Sequence, residues 1–334
     1  MRYIELFGGI GGFGLGIEQA TKATDNRWEC VWYCDNNKYA TTVYNQHFAG
    51  KGDLRYEPTD VRTVPSGDIP DHDLICAGFP CQSFSIAGRR KGFEDTRGTL
   101  FFEICRIARD HATPYLLLEN VKGLLSHDRR RTFGTILTAL DELGYRLQWE
   151  VLNSKNFGVP QNRERVFIVA SLRDRPAPQI FPLGQSGEEL AEVERASEEG
   201  RAWMANERDK WQDAVILHNI YGGFGETEPR VFEDCSPTIR TPAGGGHIPV
   251  VLGTITEAIG TRQGSSSEFL RSVNNIQKTT GSIRRLTPTE CERLQGFPDG
   301  WTNVAGISDT QKYKMLGNAV TVNVVQAIVG KWIR

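Results

Sequence analysis

A chain of 334 residues, of which 39% are hydrophobic and 24% charged, is long for one core and suits one large domain with a smaller one. No apolar run approaches the length of a membrane span, and the chain starts with a strand-like segment that carries an acidic residue, unlike a secretion signal. We therefore expect a cytoplasmic protein without a membrane segment. The net charge of −2 argues mildly against a nucleic-acid partner, although binding depends on where the cations cluster.

The seven cysteines and six histidines of the chain give no sign of a metal site or a disulfide framework. No two cysteines form a C-x-x-C pair, and the histidines lack the spacing of metal ligands. The sequence therefore predicts reduced thiols and no bound metal.

The first part of the chain has the pattern of a nucleotide-binding unit. Residues 3–7 are predicted to form a strand that opens onto a glycine-rich turn, residues 8–16, and then a helix. This order cradles nucleotides in doubly wound folds. A second predicted strand, residues 28–34, ends at Asp35, about twenty residues beyond the turn, where such folds place the carboxylate that binds ribose hydroxyls. A helix N-cap role for Asp35 remains the alternative.

Further along, Asp60 follows a turn-rich segment and is a third candidate strand end. Residues 73–77 form an apolar run that predicts a buried strand, and Cys81 follows it directly. Pro80 stiffens the turn, so the cysteine is presented to a cleft at the end of a strand, the position of a nucleophile. A buried, inert thiol is the alternative. Residues 85–98 contain glycines and cations, which suits a mobile loop.

Two later segments deliver polar side chains to the same edge of the predicted sheet. The apolar strand at residues 114–118 leads to Glu119, and Gln-Asn-Arg-Glu-Arg at residues 161–165 precedes the apolar strand at residues 166–170. We expect Glu164 to pair with an arginine for structural reasons.

The rest of the chain alternates between variable and regular segments. Residues 187–213 predict one or two surface helices, and residues 216–252 predict short strands with glycine turns. A short helix is predicted after Thr287, which is a capping residue, with Pro288 at the first helical position. A final helix is predicted over residues 322–333.

Together these motifs resemble those of the C5-cytosine-specific DNA methyltransferases of bacterial restriction-modification systems. The resemblance depends on Pro-Cys-Gln at residues 80–82 and on other elements in the family's order: the glycine turn at 8–16, Glu-Asn-Val at 119–121, Gln-x-Arg-x-Arg at 161–165, and the segments 285–298 and 313–320. It covers both ends of the chain and leaves out residues 172–283.

The resemblance implies an α/β fold with two parts. Residues 1–175 and 284–334 would form a Rossmann-like S-adenosylmethionine-dependent methyltransferase domain with a mostly parallel, doubly wound sheet. Residues 176–283 would form a smaller, mostly β target recognition domain.

The resemblance also implies a cofactor pocket for S-adenosylmethionine and no metal. Phe7 would lie against the adenine, Asp35 would hold the ribose, and Asp60 would bond the adenine amino group. The remaining cofactor-binding residues implied are Gly9, Gly11, Pro80, Leu100, Asn318 and Ala319.

The catalytic residues that the resemblance implies are Cys81, Glu119, Arg163 and Arg165. The Cys81 thiolate would add to C6 of cytosine, Glu119 would contact N3, Arg163 would bond the carbonyl oxygen and Arg165 would brace the site. The candidate DNA-binding residues are Ser85, Arg89, Arg90, Lys91, Arg97, Thr238 and Arg240. The expected partner is double-stranded DNA, acted on by a functional monomer alongside a restriction endonuclease encoded separately.

Two alternatives belong to other classes. An RNA cytosine-C5 methyltransferase of the same fold would share every catalytic residue, although relatives acting on transfer RNA usually carry a Cys-Phe-Thr element that this chain lacks. A catalytically silent DNA-binding module is disfavoured by the intact Cys81, Glu119 and Arg163.

Overall fold

The computed structural model describes residues 1–22, 24, 27–49, 55–80, 100–183, 215–218, 230–232, 236–238, 250–253 and 282–333. Its strands, in chain order, are β1 Arg2–Leu6, β2 Glu29–Cys34, β3 Leu74–Gly78, β4 Tyr115–Val121, β5 Tyr145–Asn153, β6 Gln161–Asn162, β7 Glu164–Leu172, β8 Val215–His218, β9 Arg230–Phe232, β10 Ser236–Pro237, β11 Val250–Gly253 and β12 Ser282–Arg285. Its α-helices are α1 Gly12–Thr21, α2 Lys38–Phe48, α3 Leu100–Asp110, α4 Arg131–Glu142, α5 Pro288–Leu294, α6 Asp309–Asn318 and α7 Val322–Trp332.

Six strands form the main sheet, in the order β2-β1-β3-β4-β7-β5. The first four run parallel to one another, and β7 runs antiparallel to both β4 and β5. Parallel neighbours need crossover connections, which the intervening helices supply. The expectation of a mostly parallel α/β sheet is confirmed.

Helices cover both faces of this sheet, as its alternating side chains require. Ile4 and Leu6 of β1 join a buried cluster with α3 and α4 residues such as Ile104 and Ile136. Glu5 lies between them in sequence, so its side chain points to the opposite face, where it contacts Tyr44 of α2 and Gly14 of α1. The sheet is therefore doubly wound.

The first and last helices pack closely against each other. A Cβ atom on Gly16 of α1 would lie 2.7 Å from Cβ of Val325 and 2.8 Å from the carbonyl oxygen of Val322, both in α7. The absence of a side chain at Gly16 is therefore what lets the C-terminal helix approach α1.

The chain divides into two compact units. The first comprises Met1–Asn153, Glu164–Leu190 and Ala319–Arg334, and the second comprises Ser154–Arg163 and Ala191–Asn318. The second unit contains an antiparallel sheet in the order β12-β11-β8-β9. The expected short strands of residues 216–252 are therefore present. The expected helices of residues 187–213 lie outside the described residues, and the functional division at residues 176–283 stays a prediction.

Local expectations near the chain's end are confirmed. The side chain of Thr287 accepts a hydrogen bond from the Glu290 amide, and the Glu290 side chain accepts one from the Thr287 amide, which completes a capping box. Pro288 begins α5, as its missing N–H allows.

Three local expectations need correction. Asp60 does not end a strand: it caps the 3-10 turn Val61–Thr63, and the third strand is β3. Glu164 pairs with a lysine rather than an arginine, since its carboxylate lies 2.8 Å from Nζ of Lys122. The strand predicted from residue 166 begins two residues earlier, because Arg165 already pairs with both β4 and β5, and Glu164 pairs with Asn153 of β5. Among the described residues, no helix is long and apolar enough to cross a membrane.

Candidate active site

The carboxyl ends of the parallel strands collect the candidate residues of the first unit at one edge of the sheet. Leu6 is in register with both Cys34 and Ala77, and Gly78 is in register with Glu119. The segments that follow these strands therefore leave the sheet side by side, as in other open α/β sheets, where ligands bind at this edge. Because β7 runs antiparallel, its first residues lie at the same edge, with Arg165 opposite Val121.

The glycine loop, defined here as residues 7–11, has an unusual backbone. Phe7, Gly9 and Gly11 have φ angles of 55°, 56° and 86°, which lie in the left-handed region. A Cβ atom on Gly11 would also clash with the ring of Phe48, whereas one on Gly9 would meet no atom of the described residues within 4 Å. The loop thus turns tightly on one side and opens at Gly9 onto space that a ligand can fill.

Asp35 is in direct contact with this loop. Its Oδ2 accepts a hydrogen bond from the Gly9 amide at 2.9 Å, and its Oδ1 accepts one from the Asn37 amide at 2.8 Å. Burial raises the pKa of Asp35, and these two hydrogen bonds oppose that shift. The alternative role as helix cap is wrong, because Asn37 caps α2 by accepting from the amides of Tyr39 and Ala40.

Asp60 lies on the segment that runs past Asp35, where the Thr59 amide donates to the Asp35 carbonyl oxygen at 2.8 Å. The guanidinium of Arg62 contacts both carboxylate oxygens of Asp60. Its hydrogen bonds hold the pKa of Asp60 below its usual range. Asp60 therefore presents an ionised carboxylate that can accept from a donor such as an amino group.

Glu119 and Arg165 form an ion pair at the strand ends, with Glu119 Oε1 lying 3.1 Å from Arg165 Nε. The side chains are 10% and 14% exposed, so water screens the pair only weakly. The other carboxylate oxygen lies 3.4 Å from the position that a Cβ on Gly78 would take. The small residue at the end of β3 therefore leaves room for the carboxylate.

Asn120 has a role that the sequence did not reveal. Its side chain is buried and donates a hydrogen bond to the carbonyl oxygen of Phe79 at 2.7 Å. Asn120 thus anchors the backbone just before Pro80 and Cys81. The only hint in the sequence is an asparagine directly after a strand-end glutamate.

The candidate nucleophile, Cys81, and the segment after it fall outside the part of the chain that the structure describes. Cys81, Ser85, Arg89, Arg90, Lys91 and Arg97 belong to this segment, and Arg240 also lies outside the described residues. The described cysteines, which are Cys30, Cys34, Cys76, Cys105 and Cys291, are free thiols. Burial raises the pKa of each of them, for example that of Cys105 to about 12 and that of Cys76 well above its usual value. They are therefore poor nucleophiles near neutral pH.

The second unit brings together motifs that are far apart in the sequence. The buried Arg163 donates through Nη2 to the Gly317 carbonyl oxygen at 3.2 Å, next to Asn318. Gln161 donates to the carbonyl oxygen of Leu294 at 3.3 Å, and Gln295 donates to that of Leu316 at 2.8 Å.

Thr238 also joins this cluster of the second unit. Strand β10 pairs in parallel with β6, and the Thr238 hydroxyl donates to the Asn162 carbonyl oxygen at 2.8 Å. Asn318 ends α6 and is exposed, whereas Ala319, the first residue of the returning segment of unit one, is buried. The partly buried Phe7 and Leu100 pack against the core of the first unit.

No group of three or more His, Cys, Asp or Glu side chains in the described ranges could hold a metal ion.

Comparison with known proteins defines the class. The family profile "C-5 cytosine-specific DNA methylase" matches residues 1–334. The chain belongs to this family and is a DNA cytosine-C5 methyltransferase, an enzyme that uses S-adenosylmethionine as methyl donor.

Several curated relatives match along nearly their whole length. Type II methyltransferase M.HhaI of Haemophilus parahaemolyticus is 33% identical, with 98% of this chain and 93% of that protein covered. M.NlaX of Neisseria lactamica is 37% identical, with 98% and 94% covered, and M.HpaII of Haemophilus parainfluenzae is 35% identical, with 97% and 87% covered. Among solved structures, the Dnmt2 methyltransferase of S. pombe matches with a TM-score of 0.64 at 21% identity, covering 99% of this chain and 97% of that one. At 21% identity this structural similarity supports the fold alone.

The described residues fit S-adenosylmethionine. The space in front of Gly9 admits a ligand close to the backbone, and the carboxylates of Asp35 and Asp60 are acceptors for the hydroxyl and amino groups of such a nucleoside. The glycine loop leads directly into the N-terminus of α1, and a glycine-rich loop followed by a helix N-terminus binds nucleotides in doubly wound folds.

Proposed function

We propose that this enzyme methylates C5 of a cytosine flipped out of a short, specific duplex sequence, through a covalent bond between Cys81 and C6. The observation that carries the proposal is the strand-end constellation of the first unit. It comprises the largely buried Glu119–Arg165 ion pair and Asn120, which anchors the backbone that leads to Cys81. An acid and a cation beside a cysteine-bearing turn suit a reaction in which a thiolate adds to a ring while charge is drained from it.

The reaction needs these groups because cytosine C5 is a poor nucleophile. The Cys81 thiolate forms a bond to C6, and the electron pair of the C5–C6 double bond shifts into the ring. The product is an enamine that is nucleophilic at C5. Glu119 supports N3 and Arg163 the carbonyl oxygen, so both take up developing charge. When bound, S-adenosylmethionine supplies the electrophilic methyl group. A base then takes the C5 proton, and the thiolate leaves C6 with restoration of the double bond.

The proposal assigns the other candidate residues as follows. Arg165 braces Glu119. The cofactor is held by Phe7, Gly9, Gly11, Asp35, Asp60, Pro80, Leu100, Asn318 and Ala319, without a metal. A base inside a stacked duplex is out of reach, so the target is flipped at a cost of a few kcal/mol.

The DNA contacts form a second set of assignments. Ser85, Arg89, Arg90, Lys91 and Arg97 contact the DNA near the nucleophile, and the three adjacent cations neutralise phosphates. Thr238 and Arg240, within a recognition domain of residues 176–283, read bases. We also infer that the enzyme acts as a monomer in the cytoplasm, alongside a cognate restriction endonuclease that is encoded separately.

One experiment in two steps tests the core of the proposal. Unmethylated plasmid is incubated with protein and S-adenosylmethionine and sequenced after bisulfite conversion, which reports activity and target together. Duplex DNA with 5-fluorocytosine at that target should then form an adduct that survives denaturation, because fluorine at C5 cannot leave as a proton.

Two controls make the result specific. Cys81→Ala should form no adduct, and mass spectrometry should place the wild-type adduct on Cys81. An adduct on Cys76, whose thiol is fully buried, would refute the nucleophile assignment. Methylation of transfer RNA but not of plasmid would favour the RNA alternative.

A further inference from the structure

We propose that Tyr33 is a positioning residue for the cofactor, whose hydroxyl holds the glycine loop in the conformation that receives S-adenosylmethionine. The inference rests on the proposed function, because it assigns Tyr33 a task at the cofactor site of that enzyme.

The loop needs such a restraint because its backbone is strained. Phe7 has a φ of 55°, a region that bulky residues rarely adopt, and Gly9 and Gly11 continue the left-handed turn. Strain of this kind persists only where the surroundings hold the backbone in place.

Two neighbouring side chains hold the loop at Gly9. The Tyr33 hydroxyl donates to the Gly9 carbonyl oxygen at 2.7 Å, and the Gly9 amide donates to Asp35 Oδ2 at 2.9 Å. Tyr33 lies in β2, and Asp35 directly follows that strand. The end of β2 therefore holds the peptide groups on both sides of Gly9. Asp35 is also the proposed ligand of the ribose, whereas the bond from Tyr33 lies on the opposite side of Gly9 and does not require that carboxylate.

Tyr33 is itself rigidly placed. It is 2% exposed, and its ring stacks on that of Tyr44 with 3.7 Å between centroids. A Cβ atom on Gly8 would lie 2.7 Å from Cε2 of Tyr33, so the ring fills the space that Gly8 leaves. The hydroxyl also shares a hydrogen bond with Thr41 of α2. Burial raises the pKa of Tyr33, so the phenol keeps the proton that it donates.

The second ring of the stack links this restraint to the far end of the loop. The Tyr44 hydroxyl donates to Glu5 Oε1 at 3.0 Å, and Glu5 accepts a hydrogen bond from the Gly14 amide in the first turn of α1. The loop is thus held at Gly9 by Tyr33 and beyond its end by Glu5, and the Tyr33–Tyr44 stack connects the two points.

The test compares two tyrosines that each lose only a hydroxyl. Tyr33→Phe removes the donor to Gly9 and keeps the ring. Tyr145→Phe is the matched control, because Tyr145 is also buried and donates to a backbone carbonyl oxygen, that of Thr113, at 2.6 Å. Tyr145 lies in β5, at the opposite edge of the sheet from β2.

Isothermal titration with S-adenosylhomocysteine measures the cofactor site without turnover. The apparent Kd equals the intrinsic Kd divided by the fraction of the protein whose glycine loop is in the binding conformation. Loss of the buried hydrogen bond from Tyr33 lowers this fraction, so Tyr33→Phe should bind S-adenosylhomocysteine about 5- to 20-fold more weakly. Tyr145→Phe should bind as the wild type does. At saturating cofactor, the single-turnover methyl-transfer rate and the DNA affinity of Tyr33→Phe should stay within about twofold of the wild type, because no transition-state contact has been removed.

The outcomes separate the two proposals. Wild-type affinity in Tyr33→Phe, or an equal loss in Tyr145→Phe, would overturn the positioning role while the proposed function stood. Failure of the wild-type enzyme to bind S-adenosylhomocysteine would instead contradict the proposed function.

Discussion

At the scale of single residues, the observed ion pair of Glu119 competes with the role in proton donation that we propose for it. Its ion pair with Arg165 stabilises the ionised carboxylate, whereas donation of a proton toward cytosine N3 requires the acid form. A flipped base that enters the site would add its own contacts and exclude water. A substitution that keeps the hydrogen bond to N3 but removes the transferable proton therefore distinguishes the two roles of Glu119.

Glu119→Gln separates binding from chemistry. The amide is nearly isosteric and can still donate a hydrogen bond to N3, so base flipping and DNA affinity should persist. It has no transferable proton, so single-turnover methyl transfer should slow by about 10²–10⁴-fold. Fluorescence of 2-aminopurine at or beside the target position measures flipping.

Glu164→Gln provides the matched control, because Glu164 is a glutamate of the same sheet whose pair with Lys122 is exposed. Exposed pairs contribute little, about 0–1 kcal/mol, so this variant should retain methyl transfer. Near-normal transfer by Glu119→Gln would mean that hydrogen bonding alone suffices, and loss of flipping would mean that Glu119 mainly anchors the base.

A second carboxyl group, that of Glu5, is fully buried beneath the glycine loop. Burial raises the pKa of Glu5 from 4.5 to about 8, against the hydrogen bonds from Tyr44 and Gly14. Burial also raises the pKa values of the nearby Tyr3, Tyr44, Cys30 and Cys76, so these neighbours stay neutral. Glu5 is therefore the member of this cluster that titrates near neutral pH.

The stability of the protein should depend on pH through Glu5. Because its pKa is higher in the folded state than in the unfolded state, its contribution is complete below pH 4.5 and is lost as the pH rises through about 8. Glu5→Gln keeps a carbonyl acceptor and removes the titration. Relative to Glu5→Gln, the wild type should lose free energy of unfolding, measured in urea, as the pH rises from about 5 to about 9. A difference that is flat with pH would contradict the shifted pKa.

At the scale of elements, the contact between α1 and α7 depends on the absence of a side chain. Gly16→Ala would bring a methyl group within 3 Å of both Val325 and the Val322 carbonyl oxygen. Overpacking of this kind costs about 1–3 kcal/mol, which exceeds the gain of about 1 kcal/mol that alanine has over glycine in a helix. The variant should therefore be less stable, as measured by chemical denaturation.

Gly134 gives the opposite expectation and serves as the control. It lies in α4 and is exposed, and a Cβ atom there would meet nothing within 4 Å in the part of the chain that the structure describes. Gly134→Ala should stabilise the protein by up to about 1 kcal/mol through helix propensity alone. Equal effects at both glycines would show that helix packing does not decide the result at Gly16.

At the scale of the whole molecule, the proposed division of labour assigns the cofactor and the bases to different residues. Arg240→Ala and Thr238→Ala should weaken or relax sequence choice, because direct base contacts contribute about 1–3 kcal/mol each, and S-adenosylhomocysteine affinity should persist. Asp60→Ala should weaken cofactor binding and leave the choice of DNA sequence intact. The measurements are bisulfite sequencing of a plasmid library and isothermal titration. Equal loss of cofactor affinity in both kinds of variant would reject the division.

The sequence by itself determined the class of the protein and most of the elements of its first unit. Strand periodicity, the glycine turn and the cap at Thr287 act over a few residues, so they can be read locally, and the order of motifs identified the family. The partner of Glu164 and the position of Asp60 at a 3-10 turn could not be predicted in this way, because spacing along a chain does not specify which side chain or element lies opposite.

Only the tertiary structure decided how distant segments meet. The antiparallel direction of β7 brings Arg165 to Glu119, and the parallel register of β1 and β2 places Tyr33 and Asp35 beside Gly9. Asn120 reaches Phe79 for the same reason, since β3 and β4 are neighbours in the sheet. These contacts depend on strand order and register, which arise from the burial of both sheet faces at once and not from any local pattern of residues.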